Sequence, residues 1–249
     1  MSNSTQDSNT QNNKNITGTH INKQFDQELE DIRERVLQMG GLVEQQFGKV
    51  MTALMDGNAD QAALVAAEDY KINEFEMQID EECILILARR QPTASDLRLV
   101  VAVTKCIRDL ERIGDETERM ARMIQHSIEI ESSERHYKGF VSTGERIRKL
   151  LQSTLDCFAR MDVKSAVKQM REAYTIDREF HSMTKQLIDC MKKDSEAVAS
   201  AVDMMWATRC LEKVGDHCVN ILENVVYSVK GEDVRHQHLD EVEKTAKAF

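Results

Sequence analysis

The stretch Leu110-Glu111-Arg112-Ile113-Gly114-Asp115 returns as Leu211-Glu212-Lys213-Val214-Gly215-Asp216, and both acidic positions recur at a spacing of 101 residues. Ile72 recurs as Ile176 at a spacing of 104, so the second copy is three residues shorter between these two points. Recurrence of a six-residue block within one chain indicates a duplicated unit. The repeat therefore predicts two copies of one fold, related by pseudo-symmetry.

Composition indicates that each copy is helical. The 249 residues include one proline and ten glycines, which is too little turn chemistry for a protein built from many strands. From Phe25 onward, apolar residues recur at intervals of three and four, as on one face of a helix. They include Leu29, Ile32, Val36, Met39, Val43, Phe47, Val50 and Leu54. We expect an all-α protein with two pseudo-symmetric three-helix bundles, six long helices in total.

Local composition sets the domain boundaries. Residues 1–23 are rich in Asn, Ser, Thr and Gln and carry almost nothing to bury, so a disordered leader is expected there. The first bundle is predicted over 24–131, with its helices separated by the Asp56-Gly57-Asn58 turn and by Pro92. A linker over 132–143 precedes the second bundle at 144–231, and a charged tail occupies 232–249.

Charge and hydropathy exclude several classes of protein. A formal net charge of -10 argues against general affinity for nucleic acid, which depends on clustered Lys and Arg. No apolar stretch is long enough to span a bilayer, and the N-terminus lacks the apolar region of a signal peptide. The six cysteines contain no C-x-x-C pair and lie mostly in apolar helical runs, as expected of reduced packing residues. We therefore expect a cytoplasmic protein.

The duplicated motif carries the candidate chemistry. Glu111 and Asp115, like Glu212 and Asp216, are four residues apart, so each pair lies on one helix face and can share an ion. Oxygen ligands of this kind suit hard cations such as magnesium, manganese, calcium or iron. The angular spacing places the acids beside the apolar seam, in a partly exposed groove.

A solvated helix face is the competing interpretation, because E-x-x-x-D with neighbouring arginines is common on helix surfaces. The glycine before each aspartate favours close approach of another helix, since glycine inside a helix costs about 1 kcal/mol relative to alanine. Helix packing alone would also explain those glycines. No nucleotide-binding loop, paired metal-ligand histidines or activated serine is evident. His217 is interpreted as a surface histidine rather than a ligand.

Beyond these features, the segment Gln91-Pro92-Thr93-Ala94-Ser95-Asp96-Leu97-Arg98, together with the two E-[RK]-[IV]-G-D blocks, resembles the PhoU family. The family comprises accessory regulators of the bacterial high-affinity phosphate transport system. The similarity covers about residues 25–235, which leaves the leader outside it. The resemblance implies two three-helix bundles that form a homodimer.

The resemblance also implies a site and a role. The family's motifs hold multinuclear clusters of iron or another divalent metal, and by position the ligands here are Glu111, Asp115, Glu212 and Asp216. The family often places a further acid in the second helix of each repeat, which is Asp177 in one copy but Asn73 in the other. The implied role is a negative regulator of the phosphate-starvation response that links the transporter ATPase PstB to the sensor kinase PhoR and modulates phosphate uptake.

A second class of function stays open on the residues alone. Metal held by the carboxylate motifs could supply its own nucleophile, as in a metal-dependent phosphate-ester hydrolase, or could act as a redox centre. The absence of a recognisable nucleophile or general base favours the regulator, so we do not expect an enzyme.

Overall fold

The computed structural model describes residues 14–130 and 138–247, and these ranges contain helices and no strand. The helices are α1 (Lys14–Asp56), α2 (Ala59–Ala67), α3 (Tyr70–Arg90), α4 (Ala94–Glu129), α5 (Lys138–Arg160), α6 (Val163–Lys193), α7 (Val198–Lys230) and α8 (Leu239–Lys247). The predicted all-α class is confirmed.

Two boundaries differ from the sequence-based expectation at the ends of helices. α1 begins at Lys14 rather than near Phe25, because extending a helix that already exists costs far less than nucleating a new one. Residues 1–13 of the predicted leader lie outside the described residues. α5 begins at Lys138, inside the predicted linker, and residues 131–137 are likewise outside the description.

The predicted second helix is divided in two, and the tail holds one more helix. α2 ends before Glu68 and α3 starts at Tyr70, which leaves the Glu68 carbonyl group outside a regular helix. That carbonyl accepts two hydrogen bonds, one from the Lys71 backbone N–H at 3.2 Å and one from the buried Gln46 side chain of α1, also at 3.2 Å. In the tail, α8 buries Val242 against the core.

Two bundles share one core. α1 to α4 form the first bundle and α5 to α7 form the second, while α8 packs on α6 and α7. The most extensive helix pair is α4 with α7, and α1 also packs on α5. The buried apolar residues of both bundles belong to one continuous cluster.

The contact between α1 and α5 is reciprocal. Leu155 of α5 fits over Gly40 of α1, where an added Cβ would lie 2.4 Å from a leucine methyl carbon. Met51 of α1 fits over Gly144 of α5 in the same way, with 2.3 Å to its terminal methyl carbon. Gly40 and Gly144 are 104 residues apart, as are Met51 and Leu155. The pseudo-symmetry of the sequence is thus also a symmetry of packing.

Polar contacts tie α4 to α7. Asp109 accepts hydrogen bonds from His217 and Asn220, each at 2.9 Å. Arg98 donates through Nε to the Ser228 carbonyl oxygen at 3.3 Å, near the carboxyl end of α7. A cation at this position interacts favourably with the unpaired carbonyl groups of a helix terminus. These bonds fix the relative position of the helices that carry the two acidic motifs.

Candidate metal centres

The acidic motif of α4 lies beside the buried seam, as its spacing predicts. Leu110 and Ile113 are buried, whereas the side chains of Glu111 and Asp115 are 21% and 23% exposed. Both carboxylates can therefore meet an ion that arrives from solvent.

A third carboxylate completes what we call the first cleft, formed by Asp69, Asn73, Glu111 and Asp115. Burial raises the pKa of Asp69 above its usual value, and the negative charges of Asp115 and Glu118 raise it further. Burial also raises the pKa of Glu111, with Asp115 as the next largest cause. These acids are close enough to repel one another, which a bound cation would relieve.

Two buried oxygen atoms in the first cleft lack a hydrogen-bond donor. They are Asp69 Oδ1 and Asn73 Oδ1, although Asn73 Nδ2 does donate to the other oxygen of Asp69 at 3.3 Å. Buried polar atoms are nearly always paired, so an unpaired acceptor needs an explanation such as an ion or a water molecule. Oxygen acceptors of this kind are suited to a hard cation.

Gly114 makes the close approach of Asp69 possible. A Cβ built on Gly114 would lie 2.8 Å from Ile72 Cδ1 and 3.2 Å from Asp69 Oδ1. Gly215 meets only Ile147 Cδ1, at 3.2 Å. The glycines predicted to allow close helix approach do so, and the one in the first bundle also admits a carboxylate.

The second cleft lies between α6 and α7 and holds about 520 Å³. Asp177, Glu212 and Asp216 all line it, so the three acids assigned to this bundle border the same cleft. His217 lines the same cleft, but its Nδ1 atom is hydrogen-bonded to the carboxylate of Asp109. His217 is thus a half-buried link between helices, and its interpretation as a surface residue was wrong.

The third acid of each cleft lies at a different position in its repeat. Asp69 precedes α3 in the first copy, whereas Asp177 of α6 lies one helical turn further along in the second. Asp69-Tyr70 aligns with Ala173-Tyr174 at the 104-residue spacing, and Asn73 aligns with Asp177. Each copy therefore has one acid and one neutral residue at two positions four apart, which lie on the same face. Asp69 is the functional candidate that the sequence interpretation missed, because its counterpart in the second copy, Ala173, is not an acid.

Basic neighbours compete with any cation for these carboxylates. Arg112 lies 3.4 Å from Glu111 and 3.3 Å from Asp115, while Arg209 pairs with Glu212 and Lys213 with Asp216, each at 2.6 Å. Across residues 14–130 and 138–247, no three His, Cys, Asp or Glu side chains converge in a way that could hold an ion. The donor chemistry fits a hard cation, and binding one requires the acids to turn away from their basic neighbours.

The described cysteines are packing residues. All six are free thiols, and five of them are buried. Burial raises the pKa of Cys210 and of Cys218 to about 12, which keeps both in the unreactive thiol form. Among the described helices, none is both long and apolar enough to cross a membrane.

The fold and the clefts define a class: duplicated three-helix bundle proteins with an acidic motif on the third long helix of each repeat. The PhoU domain model matches residues 36–124 and 140–225. The chain belongs to the PhoU family.

Relatives match over most of the chain. It is 44% identical, over 90% of its length and 93% of the relative, to a phosphate-specific transport system accessory protein PhoU homolog from Pseudomonas aeruginosa. It is 41% identical, over 90% of its length and 93% of the relative, to the phosphate-specific transport system accessory protein PhoU of Escherichia coli.

Solved structures agree with the fold. A crystal structure of PhoU from Pseudomonas aeruginosa superposes with a TM-score of 0.80 at 43% identity, covering 84% of this chain and all of that one. PhoU from Streptococcus pneumoniae, described as a phosphate transport system regulatory protein, gives a TM-score of 0.77 at 26% identity, over 84% and 99% of the two chains. The PhoU-like architecture expected from the sequence is confirmed.

Proposed function

We propose that this chain is an accessory regulator of a phosphate transport system, and that it acts in the cytoplasm as a negative regulator of the phosphate-starvation response. The observation that carries the proposal is the match to proteins named as accessory to phosphate-specific transport, at 41–44% identity over 90% of the chain. In this role the chain forms a homodimer and contacts the transporter ATPase PstB and the sensor kinase PhoR. The hydrolase or redox alternative finds no support in those names.

Deleting the gene tests the regulatory role. Starvation-induced genes should be expressed in phosphate-rich medium, and the parent sequence supplied in trans should restore repression. Capture of partners from cells grown in high and in low phosphate identifies the contacts. Normal repression in the deletion strain would contradict the role, whereas capture of other proteins would contradict only the assignment of partners.

We further propose that the two clefts hold hard cations, such as iron or another divalent metal in a multinuclear cluster. Asp69, Glu111 and Asp115 would hold the metal in the first cleft, and Asp177, Glu212 and Asp216 in the second. The unpaired oxygen of Asp69 and the raised pKa values of Asp69 and Glu111 support this assignment. A bound cation would neutralise acids that otherwise repel one another and would join two helices of a bundle.

Metal content and thermal stability test the clefts. A ligand at one hundred times its dissociation constant stabilises a fold by about 2.7 kcal/mol, so added metal should raise the melting temperature of the parent. The Asp115→Ala/Asp216→Ala variant should lose bound metal and most of this rise while remaining folded. Asp156→Ala removes an exposed aspartate of α5 that belongs to neither cleft, and it serves as the control. Equal metal content in the double variant and the parent would place the metal elsewhere.

A further inference from the structure

A basic cleft lies where the first turns of α6 meet α8. Its volume is about 800 Å³, and four cationic side chains line it together with two acidic ones. The cations are Lys164, Lys168, Arg171 and Lys247, and the acids are Asp162 and Glu243. The cleft is therefore net positive in a chain of net charge -10, and it should attract anions that the rest of the protein repels.

The two acids in this basic cleft already have partners. Asp162 caps α6 by accepting hydrogen bonds from the Ser165 backbone at 3.0 Å and from the Ser165 hydroxyl at 2.6 Å. Glu243 pairs with Arg171 and lies 3.9 Å from Lys247. Among the described residues, neither Lys164 nor Lys168 forms an ion pair with an acid, although the charge of Lys164 helps to lower the pKa of Asp162, so both ammonium groups can contact a ligand.

The basic cleft is absent from the other bundle, so it is not needed to build the fold. At the 104-residue spacing, Lys164, Lys168 and Arg171 correspond to Asp60, Leu64 and Ala67 of α2. The helix cap is present in both copies, since the Asn58 side chain caps the start of α2 and the Asp162 side chain caps the start of α6. The second copy thus has three cations on one helix face where the first copy has none.

We propose that this cleft binds a small anion with two or more linked phosphate groups, such as pyrophosphate, a short polyphosphate or a nucleoside di- or triphosphate. Along the axis of α6, Lys164 and Arg171 are separated by about 10 Å, beyond the span of one orthophosphate but within reach of a phosphate chain held by flexible side chains. Asp162 accepts the Ser165 backbone N–H at the start of α6, and the basic side chains supply the contacts to the ligand. Val167 and Ala246 add apolar wall to the cleft.

Size and charge favour a small ligand over a nucleic acid. The volume is typical of a small-molecule pocket. The overall negative charge of the protein repels an extended polyanion.

Calorimetric titration of the full chain tests the proposal. Pyrophosphate, ATP and orthophosphate are titrated separately at low ionic strength with a chelator present, so that phosphate cannot bind through metal in the acidic clefts. Pyrophosphate or ATP should bind saturably and at least tenfold more tightly than orthophosphate. Equal affinity for pyrophosphate and ATP identifies the phosphate chain as the ligand, and tighter binding of ATP identifies a nucleotide.

Matched variants locate the binding. Lys164→Gln/Lys168→Gln should weaken it about tenfold or more, as expected for the loss of charge-assisted contacts. Lys192→Gln/Lys193→Gln makes the same change of charge in exposed residues at the far end of α6, and should leave affinity within about twofold. Glu243→Gln removes an acid from the cleft and should strengthen binding, a gain that misfolding cannot produce.

Three results would overturn the proposal: no saturable binding of pyrophosphate or ATP, equal loss in the two lysine pairs, or weaker binding by Glu243→Gln. The titration uses metal-free protein and measures no regulation. Its failure would therefore leave the regulatory role and the acidic clefts unaffected.

Discussion

Glu223 of α7 has a pKa well above the ordinary value of a glutamate. Burial raises its pKa to about 7, the negative charges of Asp233 and Asp109 raise it as well, and Arg235 opposes them. The ordinary value is 4.5, so between pH 4.5 and about 7 the folded chain holds a proton that the unfolded chain has lost. The free energy of unfolding therefore falls as pH rises through this window, as far as this group is concerned.

The Glu223→Gln variant tests that linkage. At pH 4.5 or below the parent carboxyl is neutral like the amide, and the two proteins should be about equally stable. At pH 8 the parent holds a charge in a half-buried site, and the variant should be more stable by about 1–3 kcal/mol in urea unfolding. Glu81→Gln changes an exposed glutamate of α3 and should follow the parent at both pH values. A stability difference between Glu223→Gln and the parent that does not change with pH would contradict the assignment.

Individual residues show where prediction from sequence succeeds and where it stops. The partly exposed positions of Glu111 and Asp115 follow from helix geometry, because residues of one helix have fixed relative directions. Asp69 could not be placed in the same way, because it reaches α4 only through the turn between α2 and α3 and over the bare backbone of Gly114. Contacts between helices depend on such turns, which helical periodicity does not encode.

The α1–α5 contact depends on two glycines that each receive a side chain from the other bundle. At Gly40, an added Cβ would lie 2.4 Å from Leu155 Cδ2 and 3.1 Å from its other methyl carbon. Because both terminal methyl groups of Leu155 are nearby, a small rotation does not relieve the clash. At Gly144 the neighbour is the flexible end of Met51, which can move aside more easily.

The Gly40→Ala variant should be less stable than the parent by about 1–3 kcal/mol, the usual cost of overpacking a core. Gly144→Ala should cost less, because methionine adapts. Gly41→Ala is the matched control: nothing lies within 4 Å of its Cβ position, so it should gain up to about 1 kcal/mol of helix propensity.

A double-mutant cycle with Leu155→Ala separates the clash from other effects. Leu155→Ala removes the methyl groups that Gly40→Ala would meet, so the cost of Gly40→Ala should largely disappear in that background. Urea unfolding of the four proteins measures the coupling. Additive costs would show that Gly40 matters for a reason other than its contact with Leu155.

The helices themselves were largely predictable, and their exceptions have local causes. Apolar residues at helical spacing predict the positions of the six expected helices, because each helix must bury one apolar face. The break between α2 and α3 was missed because Gln46, on another helix, takes part in it. The helix α8 was missed because it has only nine residues, too few to be stable alone, and its support comes from burial of Val242 against the rest of the fold.

The molecule is duplicated in sequence but continuous in packing. The repeat led to two bundles, 24–131 and 144–231, yet the buried apolar residues form one cluster that spans both. α4 and α7 face each other along most of their length, so each bundle covers apolar surface of the other. Separating the bundles would expose that surface to water, and the free-energy cost would be about 25 cal/mol for each Å² of apolar surface exposed.

The whole chain should therefore unfold as one unit. Native-state hydrogen exchange at increasing urea should show the most protected amides of α4 and α7 merging on one free energy of opening, because opening either bundle exposes the shared core. Gly40→Ala acts at the α1–α5 contact and should lower that free energy equally in α3 and α6, which lie in different bundles. The comparison is internal, since amides of both bundles are read in the same sample. A lower opening free energy confined to one bundle, in the parent or in this variant, would show that the repeats are independent folding units.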